Sequence, residues 1–312
     1  MKQSSFPKYV DSVTSVSTLS KRLTDAHVLV CMTDQTIQSV GSPDECNQDS
    51  LVFLRPQAVE ELQKKVDVCK AGVLIVNHAV NASQGQALFV TEDPLSLFIK
   101  ALKILFNPEA KPTVHETAVV SPAARIGTGV SIGANSVVEA GVIVESDCNI
   151  GAHCFIGGNA QIGKGTVIQN NVSIGGVGLG FHFESNGQRL FFPHLGAVLI
   201  GANAVIGSGC VIARGQLTDT VIGAGSRLGN LVNVGHNVRI GDNCAISSGT
   251  SIAGGVHIGD ECQVGVGVCF NAKITVSSHC KIGMGTVVTK SLAQGISVFG
   301  NPAKPLPTME KF

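Results

Sequence analysis

From Val114 onward an aliphatic side chain returns every sixth residue: Val120, Ile126, Ile132, Val138, Val144, Ile150, Ile156, Ile162, Ile168 and Ile174. The series resumes at Ile200, Ile206 and Ile212 and then slips by four residues. It runs on through Ile222, Leu228, Val234, Ile240, Ile246, Ile252, Ile258, Val264, Phe270, Val276, Ile282 and Val288. Alternate residues of a strand face one side, so the residue two before each aliphatic points inward with it. Those residues are small or β-branched throughout, from Val130, Ser136, Val142, Cys148 and Cys154 to Val268, Ile274, Cys280 and Thr286. Glycine commonly turns the corner between hexads, as in IGTG, IGKG and IGAG, because a sharp turn needs an unrestricted backbone. A short period sustained over so much of the chain predicts a stacked, mainly β repeat architecture.

Residues 1–110 lack the hexad and read as a small α/β domain. Ala58–Cys69 has helical spacing, and Val73–Val76 is a buried strand. Pro94–Phe106 starts a helix on an Asp93-Pro94 cap, with Leu95, Ile99, Leu102 and Phe106 expected on its buried face. The polar, proline-bearing run Asn107–Pro112 marks the boundary to a second domain, 111–312. That domain is interrupted at Gly176–Leu199, where Phe181, Phe183, Phe191 and Phe192 gather in one loop. Two readings of these rings stand: packing against the repeat or a neighbouring subunit, or an apolar wall for a substrate.

Composition agrees with a narrow aliphatic core. The 312 residues include 37 glycines and 13 Phe but one Tyr and no Trp. With 22 acidic and 22 basic residues, no global field favours nucleic acid or an anionic membrane. The first twelve residues carry no apolar signal segment, and no apolar run approaches membrane-spanning length, so a cytoplasmic protein is expected. Of ten cysteines, six fall on inward hexad positions, which explains them as small reduced core residues rather than as metal ligands or nucleophiles.

The hexads resemble the left-handed parallel β-helix of the hexapeptide-repeat acyltransferases, in which three hexads form one triangular coil. The 26 hexads would then make eight to nine coils. Acyl transfer from a thioester to an amine needs a base and a donor for the oxyanion. Among nine histidines, His236 stands two residues after inward Val234, a phase that turns its ring outward. Its segment NVGHNVRIGDN, the loop GLGFHFESNGQRLFFPHLG and the stretch ARGQLTDTVIG are similar to the UDP-3-O-acylglucosamine N-acyltransferase family, the LpxD family of lipid A biosynthesis. The resemblance implies that His236 is the general base and that the N–H of Gly254, one coil further on, binds the oxyanion. It further implies a homotrimer, a nucleotide-linked amino sugar as acceptor, and acyl-CoA or acyl carrier protein as co-substrate, with no metal.

The chain also departs from that family. Lys273 stands where the family has a second histidine, and Leu228-Gly229-Asn230 replaces Ile-Asp-Asn. The N-terminal Phe-Leu-x-Asn-Pro-x-Tyr, whose aromatics stack on uracil, becomes Phe53-Leu54-Arg55-Pro56 with no Tyr following. Phe53 is left as the candidate for base stacking. The GNPAK ending is like that of coenzyme A-dependent sugar acetyltransferases, which makes Lys290 and Lys304 candidates for donor phosphates, with solvated lysines as the plain alternative. His182, His194 and Lys273 are candidates for the acceptor site, and Asn233 for contacting the sugar or orienting the imidazole. Arg214 and Asp219 are read mainly as fixing the slip in the repeat. The strict lipid A acceptor with a carrier-protein donor is the alternative. A metal-dependent carbonic anhydrase would need clustered histidines, and a purely structural β-helix would have neither the loop nor His236.

Overall fold

The computed structural model describes residues 8–23, 34–82, 85–106, 112–302 and 304–305. The chain divides into two compact units, Met1–Ala110 and Lys111–Phe312. Cys31 and most of the Asn107–Pro112 boundary lie outside the described residues.

The first unit is a five-stranded sheet with helices on both faces. Its strands are β1 (Lys8–Ser15), β2 (Thr36–Val40), β3 (Ser50–Phe53), β4 (Val73–Val76) and β5 (Ala87–Val90), in that spatial order. β1 pairs antiparallel with β2, and the remaining pairs are parallel. Helices α1 (Val16–Arg22) and α3 (Pro94–Phe106) pack on one face through Leu19, Leu97, Phe98 and Leu105, while α2 (Val59–Val68) packs on the other through Leu62 and Val66. Along β4 successive residues alternate between the two cores, so the whole VLIV run is buried. At the start of α3 the Ser96 N–H donates to Asp93 Oδ1 at 3.1 Å, and the Ser96 hydroxyl and N–H together hold the Asp93 carboxyl below its ordinary range.

The buried face of α3 differs from the expectation. Leu97, Phe98, Ala101 and Leu105 face the sheet, Leu95 and Ile99 are exposed, and Leu102 and Phe106 pack at the edge. The sequence PLSLFIKALKILF carries two stripes with helical spacing, and contact with the sheet, which periodicity does not contain, selects between them.

The second unit is a three-sided parallel β-helix. Face 1 runs from Val119–Val120 to Val287–Val288 in nine strands, and face 2 from Arg125–Ile126 to Thr275–Val276 in eight. Face 3 begins at Ser131–Ile132 and ends with Ser297–Phe299, to which Lys304–Pro305 adds antiparallel as a tenth strand. Register between coils is 18 residues, as in Val234↔Ile252 and Ile240↔Ile258. The hexad aliphatics from Ile132 to Val288 and the small residues two before them fill the prism.

Hydroxyls and thiols are tolerated there for a reason the hexad alone does not disclose. Inward Ser, Thr and Cys side chains can reach a corner carbonyl of the next coil, fifteen residues on in the regular coils: Ser136 to Gly151 at 2.7 Å, Cys148 to Gly163 at 3.2 Å, Cys244 to Gly259 at 3.0 Å, and Thr250 to Gly265 at 3.3 Å. Burial pushes the thiols of Cys148, Cys154 and Cys210 up, so they remain protonated donors. The nine described cysteines are free.

Most corners also place a residue with positive φ three after the aliphatic. Glycine and asparagine supply most of these, for example Gly129 (75°) and Asn243 (54°), but Leu231 adopts the same conformation (60°) while 69% exposed.

Candidate active site

Both departures from the hexad fall on the same corner, between faces 1 and 2. The loop follows Ser173–Gly176 on face 1 and returns to Val198–Ile200 on face 2. One coil on, the four-residue slip lies between Val211–Ala213 and Thr220–Ile222. The next turn of that corner carries His236 and Asn237, and the turn after it Gly254. Four successive coils thus converge on one edge of the prism.

Within the loop, Phe181–Phe183 and Arg189–Phe191 form a hairpin around Asn186-Gly187, with Gly187 at φ 82°. Phe181 and Phe183 meet edge to face at 5.4 Å, and the Arg189 guanidinium sits about 5 Å from both rings. These aromatics leave much of their surface open, Phe191 being 71% exposed. His182 is also exposed and pairs across the hairpin with Leu190. The returning end of the loop is pinned by the slip: Arg214 Nε donates to Gly196 O at 2.7 Å, and Ala197 N donates to Asp219 Oδ1 at 2.7 Å. Arg214 and Asp219 therefore secure the irregular coil.

His194 lies in that pinned segment and is only 6% exposed. Its ring stands edge to face with that of His236, centroids 5.4 Å apart. Its Nδ1 lies 2.9 Å from the Phe192 carbonyl, an obligate acceptor, so Nδ1 carries the hydrogen and Nε2 the lone pair. That buried Nε2 has no partner among the described residues. Leaving a buried acceptor unsatisfied costs about 1–3 kcal/mol.

The tautomer of His236 is set in the same way. Its Nδ1 lies 3.0 Å from Asn237 Oδ1, which also accepts from Gln216 N at 3.1 Å. Asn237 Nδ2 donates to Thr218 O at 2.8 Å and to Thr218 Oγ1 at 2.9 Å. With the amide orientation fixed by an obligate donor and an obligate acceptor, Oδ1 faces the imidazole, and His236 Nδ1 donates to it. The lone pair is therefore on Nε2, where a base requires it. The expectation that Asn233 orients the ring is corrected: Asn237 does so, whereas Asn233 is exposed on face 1. Nothing in the repeat singles out Asn237, because asparagine recurs at this positive-φ position at 135, 159, 171, 203 and 243.

The His236 ring lies over Gly254, where a Cβ would stand 2.7 Å from Nε2 and Cε1. At several positions on the other corners the N–H two residues after the aliphatic is capped by a side chain one coil further on: Asn170 caps Ala152 at 2.8 Å, Asp242 caps Ala224 at 2.7 Å, Asp260 caps Asp242 at 2.8 Å and Ser278 caps Asp260 at 3.0 Å. On the His236 edge the residues one coil on from His236 and Gly254 are Gly254 and Ala272, which carry no side-chain acceptor. Neither N–H has an acceptor among the described residues. An imidazole whose Nδ1 is engaged by Asn237 thus sits over an N–H donor with no acceptor among the described residues.

Lys273 lies one coil beyond Gly254 on the same corner and is exposed, its N–H donating to Gly254 O at 3.1 Å. Lys290 is exposed on that corner one coil further. Lys304 is exposed on the terminal strand of face 3, so the two lysines considered for donor phosphates are placed on different parts of the prism. Phe53 belongs to the first unit. It is half-buried, stacks at 4.9 Å on Phe98, and lines a cavity of about 630 Å³ with Arg55, Lys65 and Leu102. Among the described residues no three His, Cys, Asp or Glu side chains gather as a metal site, and no helix is long and apolar enough to cross a membrane.

Comparison with known proteins agrees with this geometry. The bacterial transferase hexapeptide family (six repeats) matches residues 123–158 and 219–254, and the hexapeptide repeat of succinyl-transferase matches 142–176. The chain is 36% identical to the UDP-3-O-acylglucosamine N-acyltransferase of Neisseria meningitidis, over 72% of this chain and 69% of that enzyme. It is 35% identical to the enzyme of the same name from Pseudomonas syringae pv. tomato, over 69% of this chain and 66% of that enzyme. In fold it is similar to a crystal structure of UDP-N-acetylglucosamine acyltransferase (TM-score 0.57, 25% identity, 62% of this chain and 73% of the other). The counterpart from Campylobacter jejuni shares the fold at a TM-score of 0.55 and 21% identity, over 62% of this chain and 74% of its own. With its hexads, its histidine edge and these relatives, the chain belongs to the UDP-3-O-acylglucosamine N-acyltransferase family and is a hexapeptide-repeat acyltransferase.

Proposed function

We propose that the protein transfers an acyl group from a thioester, acyl-CoA or acyl carrier protein, to the amine of a nucleotide-linked amino sugar. The observation that carries this reading is His236 Nε2, freed by the Asn237 contact and set over the uncapped Gly254 N–H. The amine attacks the thioester carbonyl carbon while a proton passes from nitrogen to His236 Nε2. The oxyanion so formed is received by the Gly254 N–H. Its collapse expels the thiolate, which takes the proton back from His236, leaving amide and thiol.

The acceptor named by the relatives, UDP-3-O-acylglucosamine, is the first to test. Phe53 is the surface for the nucleobase, with Arg55 and Lys65 beside it for phosphate. Lys273 extends the catalytic corner on the side where the family has a histidine, and Lys290 stands beyond it for the donor. Lys304, His182 and Asn233 are placed at the margins of this reading. The exposed hairpin aromatics suit a neighbouring copy in a homotrimer, whose wall would close the cleft outside His236, and the enzyme works in the cytoplasm.

The test is a purified-enzyme assay of acetyl-CoA, hydroxyacyl-CoA and hydroxyacyl carrier protein against a panel of nucleotide amino sugars. Acylation of an amino sugar that disappears in His236→Ala supports the reading. Full activity in that variant overturns the mechanism, and a monomer by light scattering overturns the shared cleft.

A further inference from the structure

The mechanism just given uses one imidazole, yet the corner holds two. His194 is the more buried, its tautomer is fixed by the Phe192 carbonyl, and its Nε2 lone pair is unsatisfied among the described residues. A group held this way in a packed site, against the ring of the base, is arranged to accept a hydrogen bond from something the chain does not itself supply.

The stoichiometry of amide formation says what. As the C–N bond forms, nitrogen carries the sugar carbon, the acyl carbon and two hydrogens. One hydrogen leaves to His236 Nε2. The other stays and becomes the amide N–H. The geometry points to His194 Nε2 as the acceptor for that retained N–H, and hence as a residue that selects an amine over a hydroxyl. An attacking hydroxyl has a single hydrogen, which the base must remove, and offers His194 nothing. This inference rests on the proposed N-acyl transfer and assigns it a specificity device.

The cover over His194 suits the role. Gly178 lies across both rings: a Cβ there would stand 3.2 Å from His194 Nε2 and 3.3 Å from His236 Cβ and Cδ2. Gly176, Gly178 and Gly180 alternate with exposed Val177 and Leu179, so this strap has little side chain anchoring it and wide backbone freedom. Lifting Gly178 opens Nε2 to an acceptor arriving at His236.

The test compares UDP-3-O-acylglucosamine with UDP-3-O-acylglucose, which presents a hydroxyl in place of the amine, in wild type, His194→Phe and His194→Gln. Phenylalanine keeps the ring and removes the acceptor, whereas glutamine keeps an amide oxygen. His194→Phe is expected to lose roughly tenfold to a hundredfold in kcat/KM on the amine and to change less than about twofold on the hydroxyl, with His194→Gln recovering much of the loss. Equal losses on both acceptors, or none on the amine, would overturn the assignment. The second readout is the ¹⁵N resonance of His194 Nε2 in wild type. It should move upfield when the amino sugar binds without donor and stay in place with the hydroxyl analogue. An unmoved resonance with bound amino sugar refutes the role of His194 while leaving the proposed function standing. Wild type that acylates no amine refutes the proposed function itself.

Discussion

Two edges of the same prism are built from the same hexad and finish differently. On the edge between faces 2 and 3, Asp242, Asp260 and Ser278 each cap the N–H of the coil before, so the corner is a closed ladder of side chain to backbone bonds. On the edge between faces 1 and 2, the equivalent positions hold His236, Gly254 and Ala272, and the ladder is left open at His236 and Gly254. The first edge contributes stability. The second gives that contribution up and leaves an unpaired donor beneath an imidazole. A repeat can therefore lose caps along one column without altering the core that sets its shape.

The largest expected consequence of this contrast is in His236→Ala, which should lower kcat by about 10²–10⁴ with an unchanged melting temperature, measured by steady-state kinetics and calorimetry. Next comes closure of the open edge. Ala272→Ser places on it the same cap that Ser278 supplies to Asp260, and the hydroxyl should compete for the Gly254 N–H. A loss of roughly a hundredfold in kcat at equal or higher stability is expected; unchanged kcat would show that this N–H does not serve the oxyanion. Asn237→Gly keeps a residue at ease with positive φ but removes the amide that orients His236. It should cost about tenfold to a hundredfold in kcat with a small effect on folding. The smallest change concerns the third edge. Leu231→Asn relieves a leucine from the left-handed region and should stabilise the second unit by about 1 kcal/mol, read as an upward shift of its thermal transition.

The core was legible because the hexad is a strict period and only one side of each strand can be inward. That His236 and Gly254 meet on one edge was legible from their being 18 residues, one coil, apart. What escaped did so for identifiable reasons. Asn237 occupies a position where asparagine is ordinary turn chemistry, so its second duty to the imidazole shows only in three dimensions. Periodicity does not disclose the hairpin, because its Asn186-Gly187 turn is short and its strands bury little. The buried face of α3 differs from the expected one because an almost wholly apolar helix has no unique stripe. His194 was visible as a histidine, but its burial and fixed tautomer depend on the Arg214 and Asp219 anchors a coil away.

The open edge also has a signature that needs neither substrate nor mutation. Amides locked into a ladder exchange with deuterium only when the structure opens, whereas an amide with no acceptor is limited chiefly by its access to water. The capped N–H groups of Ala224, Asp242 and Asp260 should then be slow to label, and those of His236 and Gly254 fast, on coils that are otherwise equally rigid. Fast amides at 236 and 254 beside slow ones at 224, 242 and 260 would separate the two columns without any substrate, and the N–H groups of Ser248 and Val266, also without an acceptor among the described residues, should label fast with the first pair.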